Sequence, residues 1–465
     1  MIPGMDYQSF VSRKLFRQPP TGMECVPELS EHLFPHQRDL VHWALRRGRS
    51  AIFADTGLGK TRMEIEWAHR VAADQGRPVL ILAPLAVASQ TVAEGERMGV
   101  EVIELREPSP FGMIHITNYE RIHKFDPRQY AGIVLDESSI IKHHDAKTFA
   151  QLTEAFGGHA WKLCATATPA PNDHTELGTH AEFLGVCSRQ EMLSEYFTHD
   201  GGETQKWRLK GHARELFWEW VATWGALVQK PSDLGYCDEG YLLPPLTVTQ
   251  HEIAVETDAV LAEGRLFATI ASGLMERRQA RRESMPSRVA AVAEMVNADN
   301  QPWVVWCELN AESEALARAI PDAVEVRGSQ TIDDKESRLR SFGNGHSRVI
   351  ITKPSIAGFG LNWQHCARVA FVGVNDSWES YYQAVRRCWR FGQHRPVEVH
   401  VFASEAEGQV VANLKRKESE AAEMSAQLSA MTRDSVLANV LGSRRDTNAY
   451  SPNTNMEIPA WLRPS

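Results

Sequence analysis

Short apolar runs alternate with amphipathic stretches over two parts of this 465-residue chain. In the first part the runs are Ser50–Ala54, Val79–Ala83, Met113–Thr117, Gly132–Leu135 and Lys162–Ala165. Each is short and almost continuously apolar. Parallel strands covered by helices on both faces read this way, because neither face meets water. Segments of helical period separate the runs, so residues 31–185 are predicted to form a doubly wound α/β domain. The rhythm returns at Trp303–Cys307, Ala323–Val326, Arg348–Ile351, Val369–Val372 and Val397–Phe402. It predicts a second α/β domain over 286–420.

Residues 186–285 break the rhythm and are read as a helical insertion and linker. They contain Trp207, Trp218, Trp220 and Trp224, then Leu243-Pro244-Pro245, and lead into a basic run, Arg277, Arg278, Arg281, Arg282 and Arg288. Phe217, Trp220 or Val221, and Trp224 recur at helical spacing. Such a stripe faces a core or, alternatively, stacks on nucleobases as a wedge. The basic run is either a solvated helix face or interdomain brace, or a track for a phosphate backbone. Residues 1–30, with Pro19-Pro20, form a lead-in. Residues 421–465 are read as a C-terminal helix and tail, and from Gly442 the Asn, Ser and Pro content predicts no fixed structure.

Composition narrows the class. A hydrophobic content of 43% over this length supplies cores for two or three domains. The net charge of −9 excludes a small basic nucleic-acid module, so a polyanion would need a local basic groove. Seven scattered cysteines form no Cys-x-x-Cys pair. They predict free thiols in a reducing compartment, not a disulfide framework or a zinc ribbon. The start lacks a signal-peptide pattern, and Val79–Ala93 is broken by Pro84 and Ser89-Gln90-Thr91. A soluble, cytoplasmic chain without a membrane partner is expected. His143-His144 has no acidic or Cys partner at ligand spacing, so no resident metal is expected there.

The sharpest chemistry lies at Ala54-Asp55-Thr56-Gly57-Leu58-Gly59-Lys60-Thr61, between a strand and an amphipathic helix. Such a loop turns backbone N–H groups toward phosphate oxygens, at the positive end of a helix dipole. Thr56, Gly57, Leu58 and Gly59 would line the phosphates. Lys60 would reach the β- and γ-phosphates, and the Thr61 hydroxyl would bind Mg²⁺. Asp136-Glu137 closes a strand, where a carboxylate enters the crevice of a parallel sheet. Asp136 suits Mg²⁺ and Glu137 suits a base acting on water. Far downstream, Arg387 and Arg390 lie three apart, on one helix face, able to bind a transferring phosphoryl group.

In order and type these elements resemble superfamily 2 helicases, and within them the Swi/Snf-like double-stranded DNA translocases, over residues 34–184 and 300–402. Phe34-Pro35-His36-Gln37 resembles the adenine-reading glutamine motif, and Leu82-Ala83-Pro84-Leu85 resembles motif Ia. Ile116-Thr117-Asn118-Tyr119-Glu120 is similar to the Thr-x-Tyr-Glu segment. Asp136-Glu137-Ser138-Ser139 with Lys142 stands for motif II, and Ala165-Thr166-Ala167-Thr168-Pro169 with Asn172 for motif III. Gly358-Phe359-Gly360-Leu361-Asn362 resembles motif V. Gln383 through Gln393, ending in Arg-x-Gly-Gln, resembles motif VI and points most specifically to this subfamily.

The chain departs from the pattern in three places. Ser138 and Ser139 replace Ala-His, Ala167 replaces Gly, and Arg386 stands where Gly is common. They suggest a divergent branch, the compact form of bacteria and bacteriophages. The resemblance implies two RecA-like domains with ATP and its Mg²⁺ between them. It adds Gln37 and Gly360 as ATP contacts and Thr166 and Thr168 as coupling residues. Ser89, Gln90, Thr117, Thr352, Lys353 and Asn362 become candidate nucleic-acid contacts. The implied activity is ATP-dependent translocation along duplex DNA in replication, recombination or repair, gripped by its backbone without sequence preference, by a monomer that can meet replication or repair proteins. An RNA-dependent ATPase and a nucleotide-switched interaction module are the alternatives.

Overall fold

The computed structural model describes residues 20–84, 87–142, 144, 146–170, 173–199, 207–253, 282–357, 362–373, 377–404, 416, 433–434, 436–438 and 440–441. The apolar runs of the first half become β1 (Arg49–Ala54), β2 (Val79–Ala83), β3 (Ile103–Glu104), β4 (Ile114–Asn118), β5 (Gly132–Asp136) and β6 (Trp161–Thr166). Every residue of β2, β4, β5 and β6 is buried, as strands covered on both faces must be. A small antiparallel pair follows, β7 (Phe197–His199) with β8 (Trp207–Leu209), and then β9 (Gly225–Val228). The first sheet runs β3-β4-β2-β5-β6-β1-β9 and is parallel at each pairing.

The second sheet contains β10 (Leu246–Ile253), β11 (Trp303–Trp306), β12 (Ala323–Glu325), β13 (Val349–Thr352), β14 (Arg368–Phe371) and β15 (Val397–Ser404). It runs β10-β15-β14-β11-β13-β12 and is again parallel throughout. The chain is therefore α/β with two parallel sheets, as the rhythm of its apolar runs predicts. Among the described residues no helix is long and apolar enough to cross a membrane.

The segment 186–285 differs from its reading as an insertion. β9 pairs with β1 and completes the first sheet, whereas β10 pairs with β15 and forms an edge of the second. The helix Arg214–Ala222 buries Phe217, Trp218, Trp220 and Val221, and Trp224 follows at 1% exposure. Trp220 stacks on Tyr196 at 5.3 Å, and Trp224 meets Phe53 of β1 edge-on at 6.0 Å. The aromatic stripe is thus core of the first domain and offers no surface for a base. Of the basic run, Arg277, Arg278 and Arg281 lie outside the described residues, as do Asn172, Gly360 and the tail. Arg288 is wholly buried. It pairs with the equally buried Glu312 at 3.0 Å and donates to the Val372 carbonyl, so it braces the second domain from inside.

Candidate nucleotide-hydrolysis site

β1, β6 and β5 lie side by side, so the loop after β1, Thr166 at the end of β6 and Asp136 at the end of β5 share one sheet edge. Gly57 and Gly59 take φ of 97° and 81°, a left-handed backbone that only glycine adopts without strain. Lys60 opens the helix Lys60–Gln75, and its Nζ donates to the carbonyls of Ala54 at 2.8 Å and Asp55 at 3.3 Å. Gln37 lies on the loop itself. Its Nε2 donates to the Leu58 carbonyl at 2.9 Å, and its Oε1 accepts the Phe34 N–H at 3.0 Å.

Glu137 has φ of 53°, the one positive value of a non-glycine among the described residues. A strained backbone at this point turns the side chain back over the sheet edge. Its Oε1 accepts hydrogen bonds from Thr166 Oγ1 at 2.6 Å and Ser139 Oγ at 2.9 Å. Thr166 Oγ1 in turn accepts the Thr168 N–H at 3.1 Å, while the buried Thr168 hydroxyl has no partner among the described residues. The serines that depart from the motif II pattern therefore have distinct places. Ser139 holds Glu137, and Ser138 bonds His180 Nε2 at 3.0 Å beneath it. Asp136 is 8% exposed. Burial first, and the Glu137 charge second, push its carboxyl up to about 7.

A third acid, Glu64, lies one helical turn after Lys60. It is buried, and among the described residues neither of its oxygens has a hydrogen-bond partner. Burial, then the Asp136 charge, holds it well above the carboxylate range. An acid inside the mostly apolar stretch that holds Met63, Ile65, Trp67 and Ala68 is the sequence signal for it. Among the described residues no three His, Cys, Asp or Glu side chains are arranged to hold a metal ion by themselves. The Thr61 hydroxyl and Asp136 fit a hard cation whose other ligands are phosphate oxygens and water.

The facing wall comes from the second domain, where the helix Trp378–Val385 ends at Arg386. Arg387 and Arg390 follow in a turn and a bend beyond the helix, not on one helix face; Arg387 is buried and Arg390 half-buried, and the Arg387 Nε donates to the Gln383 carbonyl at 2.9 Å. Burial pushes Arg387 down to about 10, against the pull of Glu137, its strongest favourable charge. Burial and then the guanidiniums of Arg387 and Arg386 push Arg390 down to about 9. Both remain charged at neutral pH. A cavity of about 350 Å³ joins the walls, lined among others by Phe34, Gln37, Thr61, Arg390 and Phe391. Tyr241, from the segment joining β9 to β10, packs at a tilt against Phe391 at 4.9 Å and meets Phe34 edge-on at 6.1 Å. Sequence reasoning missed Tyr241, since a lone tyrosine in a linker carries no pattern.

The candidate nucleic-acid contacts do not form one surface. Thr117 is 1% exposed and spends its hydroxyl on the Leu105 carbonyl at 2.8 Å; Thr352 is wholly buried. Neither can reach a polymer, because both sit within strands covered on both faces. Lys353 is half-buried just after β13. Ser89, Gln90 and Asn362 do meet, in an interdomain cleft of about 650 Å³. That cleft carries Glu94, Glu96, Glu104 and Glu336 against Arg97 and Arg340, a balance that repels phosphate.

Residues 287–392 match the family model of the helicase conserved C-terminal domain. No curated protein matches the chain. Among solved structures the chain is similar to the Sulfolobus solfataricus SWI2/SNF2 ATPase core in complex with dsDNA. The two are 19% identical with a TM-score of 0.41, over 90% of this chain and 99% of that one.

Proposed function

We propose that this chain hydrolyses Mg²⁺-ATP between its two domains and uses the cycle to move along duplex DNA. The observation that carries the hydrolytic half is the opposition of charges across one cleft. Lys60, Asp136 and Glu137 form one wall, and Arg387 and Arg390 form the other. Lys60 exchanges its two loop carbonyls for the β- and γ-phosphates. Thr61 and Asp136 would hold Mg²⁺, which when bound neutralises charge on the phosphates. Thr166 and Ser139 both donate to Oε1 of Glu137, which leaves Oε2 to take a proton from the attacking water. The hydroxide adds to the γ-phosphorus as the bond to the bridging oxygen breaks, giving ADP and phosphate. Arg387 and Arg390 stabilise the charge on the transferring group, so hydrolysis requires both domains. The bond between Thr166 and Glu137 gives motif III a direct means of coupling hydrolysis to domain movement.

The DNA half is supported by the helicase C-terminal match over 287–392 and by the Arg-x-Gly-Gln ending of the 383–393 segment. The test is ATP hydrolysis without polymer and with duplex DNA, single-stranded DNA or RNA, for the parent, Lys60→Ala and Arg390→Ala. Stimulation by duplex DNA, lost in both variants, is expected. Stimulation by RNA alone would make the chain an RNA-dependent ATPase, and hydrolysis indifferent to every polymer would make it a nucleotide switch. Triplex displacement then reads movement directly.

A further inference from the structure

The phosphate-binding loop carries an acid at its second position, and the second domain answers it with an arginine in a place where the resembled family commonly has glycine. Arg386 Nη2 donates to Asp55 Oδ2 at 2.7 Å and to the Thr56 carbonyl at 3.0 Å. The Tyr382 hydroxyl donates to Asp55 Oδ1 at 3.2 Å, and the same oxygen accepts the Thr56 N–H at 2.6 Å. Arg386 is 4% exposed, and its guanidinium lies 5.5 Å from the Tyr382 ring and 5.2 Å from that of Trp389. One residue along the loop, a Cβ on Gly57 would fall 2.7 Å from Phe391 Cβ, so Phe391 packs there with no room for a side chain between them. Three successive loop residues are therefore held by the second domain through contacts that involve no nucleotide.

The setting decides what this pair does. A second interdomain ion pair, Arg106 with Asp333 at 2.7 Å, has side chains 56% and 67% exposed. Water competes for such a pair and salt screens it. The Asp55–Arg386 pair lies in the cleft with Arg386 desolvated, and opening the cleft strips the arginine of its only carboxylate ligand in the structure's described residues. Arg386 immediately precedes Arg387 and lies four residues before Arg390. Fixing Arg386 on the loop therefore fixes the backbone from which both other arginines project.

We propose that Asp55, Arg386 and Tyr382 form an interdomain latch that seats the second domain on the phosphate-binding loop before nucleotide binds. Asp55 and Arg386 are then positioning residues. They keep the hydrolysis-competent arrangement populated, so that ATP does not have to supply the whole of domain closure. A chain without the latch binds through a rarer closed form, and its apparent affinity falls in proportion. Saturating ATP restores closure, which separates this role from that of Arg387 and Arg390.

The kinetic part rests on the ATPase reading above, whereas the latch itself is read without nucleotide. The experiment compares the full chain with Asp55→Asn, Arg386→Gln, Tyr382→Phe and the Asp55→Asn/Arg386→Gln double variant. Small-angle X-ray scattering of the nucleotide-free proteins reads closure, and steady-state hydrolysis reads KM and kcat. The first two variants are expected to have a larger radius of gyration and KM raised about tenfold, with kcat within about twofold. The double variant should match the singles, because one interaction can be lost only once. Tyr382→Phe, which keeps the ring and the ion pair, should show a smaller shift and stands in if an Arg386 variant fails to fold. Unchanged scattering in Asp55→Asn would overturn the latch, as would a double variant whose KM increase is the product of the singles. If the parent hydrolyses no ATP, the ATPase reading fails alone, and scattering still decides the latch.

Discussion

The two walls of the cleft carry opposite charge and the same difficulty. On the first domain, Glu64, Asp136 and Glu137 crowd around Lys60; on the second, Arg386, Arg387 and Arg390 crowd one another. Burial drives Glu64 and Asp136 toward protonation and Arg387 and Arg390 toward losing charge. Neither wall is at ease by itself, because like charges share a desolvated space. Each is the other's counter-ion, and a nucleotide with its cation supplies both signs at once. A split site of this kind makes chemistry conditional on closure by electrostatics as well as by geometry.

The comparison can be broken from either wall. Removing a guanidinium by Arg390→Ala should cost about 10³-fold in kcat, measured by phosphate release, if the basic wall stabilises the transferring group. Glu137→Gln should cost about 10²-fold or more while ATP binding persists, measured by nucleotide-analogue fluorescence, since the amide keeps the shape and loses the proton acceptor. Thr166→Val leaves the acid in place and removes its shortest hydrogen bond, so about a tenfold loss of kcat is expected.

A pH series sharpens the acidic side. Asp136 has a folded value of about 7, above its ordinary 3.8, so the folded chain holds this proton more tightly than the unfolded one. Its contribution is complete below about pH 4 and is lost as pH rises toward 7. Thermal unfolding without nucleotide should show that decline, and Asp136→Asn should flatten it. The smallest effect is expected at the exposed rim. Arg106→Ala should leave the chemical-denaturation midpoint almost unmoved, in contrast to variants of the Asp55–Arg386 pair, whose arginine is buried.

Much of this was legible in the sequence where a local rule governs. Ten strands follow from apolar runs, since a strand covered on both faces must be apolar throughout. β10 escaped because it lies at a sheet edge and alternates Thr, Gln and Glu with apolar residues, with no fully buried position. β9 escaped because Gly-Ala-Leu-Val is too short to stand apart from the aromatic helix before it. At the site, Lys60, Asp136, Glu137, Arg387 and Arg390 announce themselves by residue type in a recognisable order. Asp55 and Arg386 do not, because their meaning depends on a partner more than 300 residues away. Thr117 and Thr352 were misplaced for the converse reason. Their motif positions are clear, but burial of the hydroxyl is set by the neighbouring strands.

The way the segment between the domains is divided has a consequence for how the protein is made. β9 reaches the first sheet only after residue 225 has left the ribosome, and its Val228 carbonyl accepts the Asp55 N–H. The start of the loop 54–61 thus gains its edge support late. β10 waits longer still, because its partner to Leu246 is Val397, 151 residues further on. Parallel pairing over such separations is slow, and an unpaired strand invites the wrong neighbour. The nascent chain therefore carries one open strand through the synthesis of nearly its whole second domain, and its yield in cells should depend on translation rate and on chaperones that shield that strand.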